Sequence, residues 1–233
     1  MARLIAALVR HGDYHQLKDT PSAHQPFPLT EKGVNRARVA ARGVAQMLSE
    51  KGWALAPDVD CSKLLRAWQT AQLFIEELEG LFQKPAQLEP FEALAERGLG
   101  SAANLTTAQI REVIEADPRF DALPADWKSN SHYRLPLQGA ESLMQAGERV
   151  ARHINARMDA LQPVDGADTV KLFVGHGAAF RHAAHLMGVL EFEQIAALSM
   201  YHAQPVYLER LQDGRWRHIA GDWKVRGKGA YSD

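Results

Sequence analysis

The chain has 233 residues, a length that favours one domain over two and is enough to bury a full core. It is 46% hydrophobic and 24% charged, which excludes the disordered, collagen-like and fibrous classes. Lysine and arginine total 27 against 28 aspartates and glutamates, a net charge of −1, so no broad field draws nucleic acid or an anionic membrane, although a local basic pocket stays possible.

Leu4 to Val9 is an unbroken apolar run between Arg3 and Arg10. It predicts a strand covered on both faces, and it is too short for a leader or a membrane span. Residues 13–29 are polar and carry Pro21, Pro26 and Pro28, the mark of a loop. Thr30 is a candidate cap for a helix from Glu31 to Lys51, with Gly52 as its stop. Asp58 to Cys61 predicts a short strand and Leu64 to Leu81 an amphipathic helix. Cys61 is the single cysteine, which excludes an intrachain disulfide and a cysteine-built zinc site and fits a cytoplasmic protein.

Residues 82–140 are less regular. Thr106 and Gln109 make a capping-box pattern before a short helix that ends near Pro118. The Pro- and Gly-marked stretch 118–140 is expected to run over the surface. Glu141 to Leu161 predicts a long helix, Thr169 to Val174 a second apolar strand, and Ala178 to Leu190 a helix. Val206 to Leu211 and Arg215 to Ala220, joined by Asp213-Gly214, read as a hairpin. Strands alternate with helices through most of the chain, so the expected fold is α/β and layered, with a mostly parallel sheet and no linker dividing it. Trp53, Trp68 and Trp127 read as packing residues.

Ligands of such sheets sit beyond the carboxyl ends of strands. The first strand runs into Arg10-His11-Gly12 and the last parallel one into Gly175-His176-Gly177. Neighbouring strands would bring the two histidines together. Arg10, Arg66 and Arg181 are the cations to join them, and arginine with histidine makes a site for a dianion such as a phosphoryl group. A neutral imidazole can also attack phosphorus and form a phosphohistidine.

These residues resemble the histidine phosphatase superfamily, in the branch that includes cofactor-dependent phosphoglycerate mutase. The likeness extends over nearly the whole chain. It runs through Leu8-Val9-Arg10-His11-Gly12, Leu29-Thr30-Glu31-Lys32-Gly33, Ser62 to Ala71, Glu96-Arg97-Gly98-Leu99-Gly100, Gly139 to Leu143 and Gly175-His176-Gly177. It implies a single domain over 1–233, with a three-layer fold whose mostly parallel central sheet is flanked by helices. It also implies His11 as the nucleophile, and Arg10, Arg66 and His176 as the holders of the phosphoryl oxygens. Glu96 becomes the general acid and base, with Asp13, Glu89 and Glu92 as rivals. His11 would stay neutral to attack while His176 can act as a cation. No metal and no cofactor are implied, because guanidinium and imidazole donors neutralise the phosphoryl charge.

Four departures favour a phosphatase over a mutase. Leu99 stands where mutases carry tyrosine, and Ala178 where they carry asparagine. Asp13-Tyr14-His15-Gln16 lacks the asparagine of their loop, and Lys128 and Arg134 are isolated where they carry an arginine pair. Mutase-type phosphotransfer remains the alternative, as does a non-catalytic binding scaffold. Ser62, Ala178, His15 and His202 are candidates for the substrate pocket, with His24 and His132 nearby. The expected partner is a small phosphorylated substrate or a phosphoprotein, with no nucleic acid and no membrane, and a homodimer is possible. His182 and His185 have a spacing that permits metal binding, but no His-Glu-x-x-His pattern accompanies them.

Overall fold

Residues 2–227 are described in the computed structural model. The first strand is β1 (Leu4–Arg10), followed by α1 (Glu31–Lys51), β2 (Ala54–Leu55), β3 (Asp58–Ser62) and α2 (Leu65–Leu78). Then come β4 (Gln87–Phe91), α3 (Thr107–Ala116), α4 (Leu143–Asp159), β5 (Thr169–Gly175) and α5 (Gly177–Leu186). The chain continues through α6 (Phe192–Ala197), β6 (Leu198–Met200), β7 (Pro205–Arg210), β8 (Trp216–Ala220) and β9 (Trp223–Val225). The main sheet has the order β4-β3-β5-β1-β7-β8, and β2 also pairs with β5. Strands β1 to β5 pair in parallel, while β7 is antiparallel to both β1 and β8. A separate antiparallel pair joins β6 to β9. Among the described residues, no helix is long and apolar enough to cross a membrane.

The apolar runs lack alternation because both faces are covered. Ile5, Ala7 and Val9 pack with α1 and α2, and Ala6 and Leu8 with α4 and α5. β5 divides in the same way, Val170, Leu172 and Val174 on one side and Phe173 on the other. Helix α1 begins where expected, with Thr30 Oγ1 accepting the Gly33 N–H at 2.9 Å, and Gly52 closes it at φ 64°. Gly33 matters for a further reason. A Cβ there would stand 2.0 Å from the Asp13 carbonyl, so the loop after β1 rests directly on the helix backbone.

The predicted elements were corrected at several places. α2 stops at Leu78, where Glu79–Leu81 tightens into a 3-10 turn. α4 starts at Leu143, capped by Ser142 in a box with Gln145, rather than at Glu141, and α5 ends at Leu186. Residues 118–140 do not merely cross the surface. Leu123, Trp127, Leu135 and Ala140 pack with Leu99 and with Ile110 and Ile114 of α3 in a third apolar cluster. Trp53 and Trp127 are buried, but Trp68 is 40% exposed on α2.

Candidate active site

Register brings the two histidines together. Arg10 of β1 is paired with Gly175 of β5, so both chains leave adjacent parallel strands at one level. The His11 N–H then donates to the Gly175 carbonyl at 2.9 Å, and the imidazole centroids of His11 and His176 lie 5.0 Å apart.

The partners assign each ring's proton. His11 Nδ1 lies 2.7 Å from the Gly12 carbonyl oxygen, which only accepts, so Nδ1–H donates. Its Nε2 accepts from Arg66 Nε at 3.2 Å and carries the lone pair. In His176 the arrangement is reversed. Nδ1 accepts from Arg66 Nη2 at 3.2 Å, and Nε2–H donates to Ser62 Oγ at 2.9 Å. Burial holds both imidazoles well below the ordinary histidine pKa, with Arg66 next in effect. Both rings are therefore neutral at pH 7. The expected cationic His176 is corrected: full burial beside two arginines disfavours a further positive charge.

Arg66 is fully buried at the first turn of α2. Besides both imidazoles it reaches the carbonyls of Gln25 and Ala23, each at 2.8 Å, and of Ser22 at 3.2 Å. Its guanidinium also lies 4.5 Å from the Tyr14 ring centroid. Segment 20–25 is thus folded onto the site by the arginine. Arg10 donates to the Met200 carbonyl at 3.1 Å, and its Cδ would be 3.1 Å from a Cβ on Gly177, which explains a glycine after His176. Gly12 N–H is held by Thr70 Oγ1 at 2.9 Å.

Glu96 lies at the start of α5. Its carboxylate accepts from Ala179 N–H at 3.1 Å, Ala178 N–H at 3.3 Å and Arg97 N–H at 2.9 Å. Helix N-termini favour anions, so these groups hold the side chain beside Ala178 and Ala179, two and three residues past His176. The rival acids are engaged elsewhere: Asp13 accepts from Thr30 Oγ1, Glu89 pairs with Arg157, and Glu92 with Lys63. Ala178 contributes backbone, its N–H to Glu96 and its carbonyl to His182. His202 is near, its ring 5.7 Å from His11 at 30°, and is held neutral, its pKa about 4 through burial and then Arg10. His15 is exposed, and its backbone N–H donates to the Pro28 carbonyl at 3.0 Å. His182 Nδ1 donates to the Ala178 carbonyl with Nε2 beside Ser131 Oγ, and His185 Nδ1 donates to the Leu190 carbonyl.

His24, expected near the pocket, supports the chain at Glu96, and Arg149 is a supporting residue that the sequence reading did not name. His24 Nε2–H donates to the Glu96 carbonyl at 3.0 Å. Arg149 donates to the carbonyls of Glu92, Ala93 and Ala95 and pairs with Glu141, which accepts the Gly98 N–H. Burial raises the Glu141 pKa, but these bonds outweigh it and leave it below the ordinary value. Nothing local announces such roles, since each depends on carbonyls distant in sequence. Behind the site, Asp60 is fully buried and holds Lys171 at 2.7 Å, His153 at 2.8 Å and Arg157 at 2.9 Å.

Comparison with known proteins places this geometry. The model of the histidine phosphatase superfamily (branch 1) matches residues 6–220. The 2,3-bisphosphoglycerate-dependent phosphoglycerate mutase of Methylobacterium radiotolerans is 31% identical over 209 residues, covering 88% of this chain and 89% of that protein. That of Beijerinckia indica is 30% identical over 210 residues, covering 88% and 91%. Among solved structures, mycobacterial glucosyl-3-phosphoglycerate phosphatase superposes with a TM-score of 0.68 at 21% identity, covering 97% of this chain and 100% of that one. Phosphoglycerate mutase from Bacillus anthracis superposes with a TM-score of 0.69 at 19% identity, covering 94% and 93%. At that identity the two structures speak for a shared fold. The match over residues 6–220 carries the conclusion that the chain belongs to branch 1 of the histidine phosphatase superfamily.

Proposed function

We propose that this protein is a phosphatase that hydrolyses phosphomonoesters through a phosphohistidine on His11, with no metal required. The observation that supports it most is Arg66 set between two neutral imidazoles, its N–H groups aimed at one lone pair on each. A phosphoryl group that takes those N–H groups frees the Nε2 lone pair of His11 for attack on phosphorus. The P–O bond to the leaving group breaks, and Glu96, protonated, gives its proton to the departing oxygen. The Nδ1–H bond to the Gly12 carbonyl stabilises the positive charge that develops on the phosphorylated ring. Glu96, now a carboxylate, takes a proton from water as its oxygen attacks phosphorus. The P–N bond breaks, its electrons return to Nε2, and phosphate leaves. Arg10, Arg66 and His176 meet the charge on the equatorial oxygens.

Hydrolysis is favoured over isomerisation by what the far side of the site lacks. Leu99 is 2% exposed, packed in the third apolar cluster, and Ala178 offers no side-chain donor. Lys128 and Arg134 are exposed. Each absent charge-assisted bond weakens the hold on a second anionic group by about 1.5–3 kcal/mol, so an intermediate leaves before it can turn over. The curated relatives favour the second reading, a mutase. A panel of phosphoesters, assayed for both free phosphate and isomerised product, separates the two. Free phosphate as the main product supports the phosphatase, and isomer formed faster than phosphate refutes it. Loss of covalent labelling in His11→Ala tests the intermediate.

A further inference from the structure

A groove of about 1010 Å³ runs between the exposed face of α1 and the chain around β6, β7 and β9. Its charge is uneven. Lys32 and Arg36 from α1, Lys224 from β9, and Arg10 line it against two carboxylates, Glu31 and Asp222. Lys32, Arg36 and Lys224 form no ion pair and no side-chain hydrogen bond among the described residues. Between them lies apolar surface: Val39 is 62% exposed, Tyr201 is 41% exposed, and Met47 stands beside them. Gly43 opens the floor, where an added Cβ meets nothing within 4 Å. Lys32, Arg36 and Lys224 around an exposed apolar strip suit an amphipathic anion, which covers the strip while its charge meets Arg36 and Lys224.

Two groove residues adjoin the phosphoryl site: Arg10, which ends β1 and precedes His11, and His202, which follows β6 with its ring 5.7 Å from that of His11. The Nε2 lone pair of His11 is aimed at Arg66 Nε, and the carboxylate of Glu96 is fixed at the start of α5. Of the residues that the proposed reaction uses, only Arg10 lines the groove; His11, Arg66, Glu96 and His176 do not. We propose that the groove is a second binding site, separate from the phosphoryl site, for a small molecule with a carboxylate, sulfonate or phosphate head and an apolar body. Its occupant touches the phosphoryl site only through Arg10 and His202.

The test uses the full chain and 8-anilinonaphthalene-1-sulfonate, an anion with an aromatic body, followed by fluorescence. Saturable one-to-one binding is expected, and it persists when orthovanadate fills the phosphoryl site. Arg36→Glu with Lys224→Glu weakens binding at least tenfold, and Gly43→Trp, which fills the floor, abolishes it. The charge-reversal variant keeps its thermal melt and its rate on p-nitrophenyl phosphate, so it carries the test even if Gly43→Trp does not fold. No saturable binding, displacement by orthovanadate, or unchanged affinity after charge reversal each overturns the proposal. Because binding is read without turnover, failure of the phosphatase reading leaves this result distinct.

Discussion

Arg66 Nε points at His11 Nε2 across 3.2 Å, and the same guanidinium donates to His176 Nδ1 at 3.2 Å. One buried cation thereby sets the protonation of both rings, leaving the proton of His11 on Nδ1 and that of His176 on Nε2. Nitrogen-15 NMR at pH 6 should show two neutral imidazoles of opposite tautomer. An imidazolium signal from either ring would contradict the assignment.

Arg66→Lys keeps a charge but not the planar fork that reaches two rings and three carbonyls. A fall in kcat/KM of about 10²–10³-fold is expected, the usual loss for a removed transition-state donor. The carbonyls left without a partner add a stability loss of about 1–3 kcal/mol. Steady-state kinetics and urea unfolding measure the two effects separately.

Glu96→Gln removes the proton donor while retaining an oxygen for the backbone N–H groups at the start of α5. Alkyl phosphates, whose leaving oxygen needs a proton, should lose more rate than nitrophenyl phosphate. Hydrolysis of the intermediate also slows, so phosphohistidine accumulates in a rapid-quench experiment. Equal loss on both esters with no trapped intermediate would return the role to another acid.

Stability should fall as pH drops from about 6.5 toward 4. His182 and His202 are lowered to about 4, and His11 and His176 lie well below the ordinary value, all chiefly through burial. In that window the unfolded chain binds protons that the native protein refuses, so this stabilisation is complete above about pH 6.5 and is lost below it, at up to about 1.4 kcal/mol per pH unit for each histidine. Asp60 does not contribute there, because its hydrogen bonds to His153 and Lys171 outweigh burial and hold its carboxyl below the ordinary value. Unfolding free energies that are flat between pH 7 and 5 would contradict the burial of these rings.

Asp60→Ala leaves Lys171 buried and without its carboxylate partner. A loss of about 3–5 kcal/mol is expected, the cost of an uncompensated buried charge. Replacing both residues with apolar ones of similar volume should recover much of it, as denaturant midpoints can show.

The apolar runs of β1 and β5 were legible because strands covered on both faces have no polar alternation. The Thr30 and Thr106 caps were legible because capping is local. β4 was not, since Gln87-Leu88-Glu89-Pro90-Phe91 has an edge strand's polar mix, and Pro90 is tolerated only at an edge. Nor were β6 and β9, at three residues each. The docking of 118–140 was obscured because its apolar residues are scattered among turn formers.

By itself the sequence determined the layered α/β class and the two strand-end motifs Arg10-His11-Gly12 and Gly175-His176-Gly177, because periodicity, caps and strand-end glycines act over a few residues, while the β1–β5 register that joins the motifs is tertiary. Tertiary structure alone decided which lone pair each imidazole offers, where Glu96 is held, that segment 20–25 closes on Arg66, and that Lys171 answers Asp60. Those depend on carbonyls and charges brought together from distant parts of the chain, where burial rather than sequence neighbourhood sets the electrostatics.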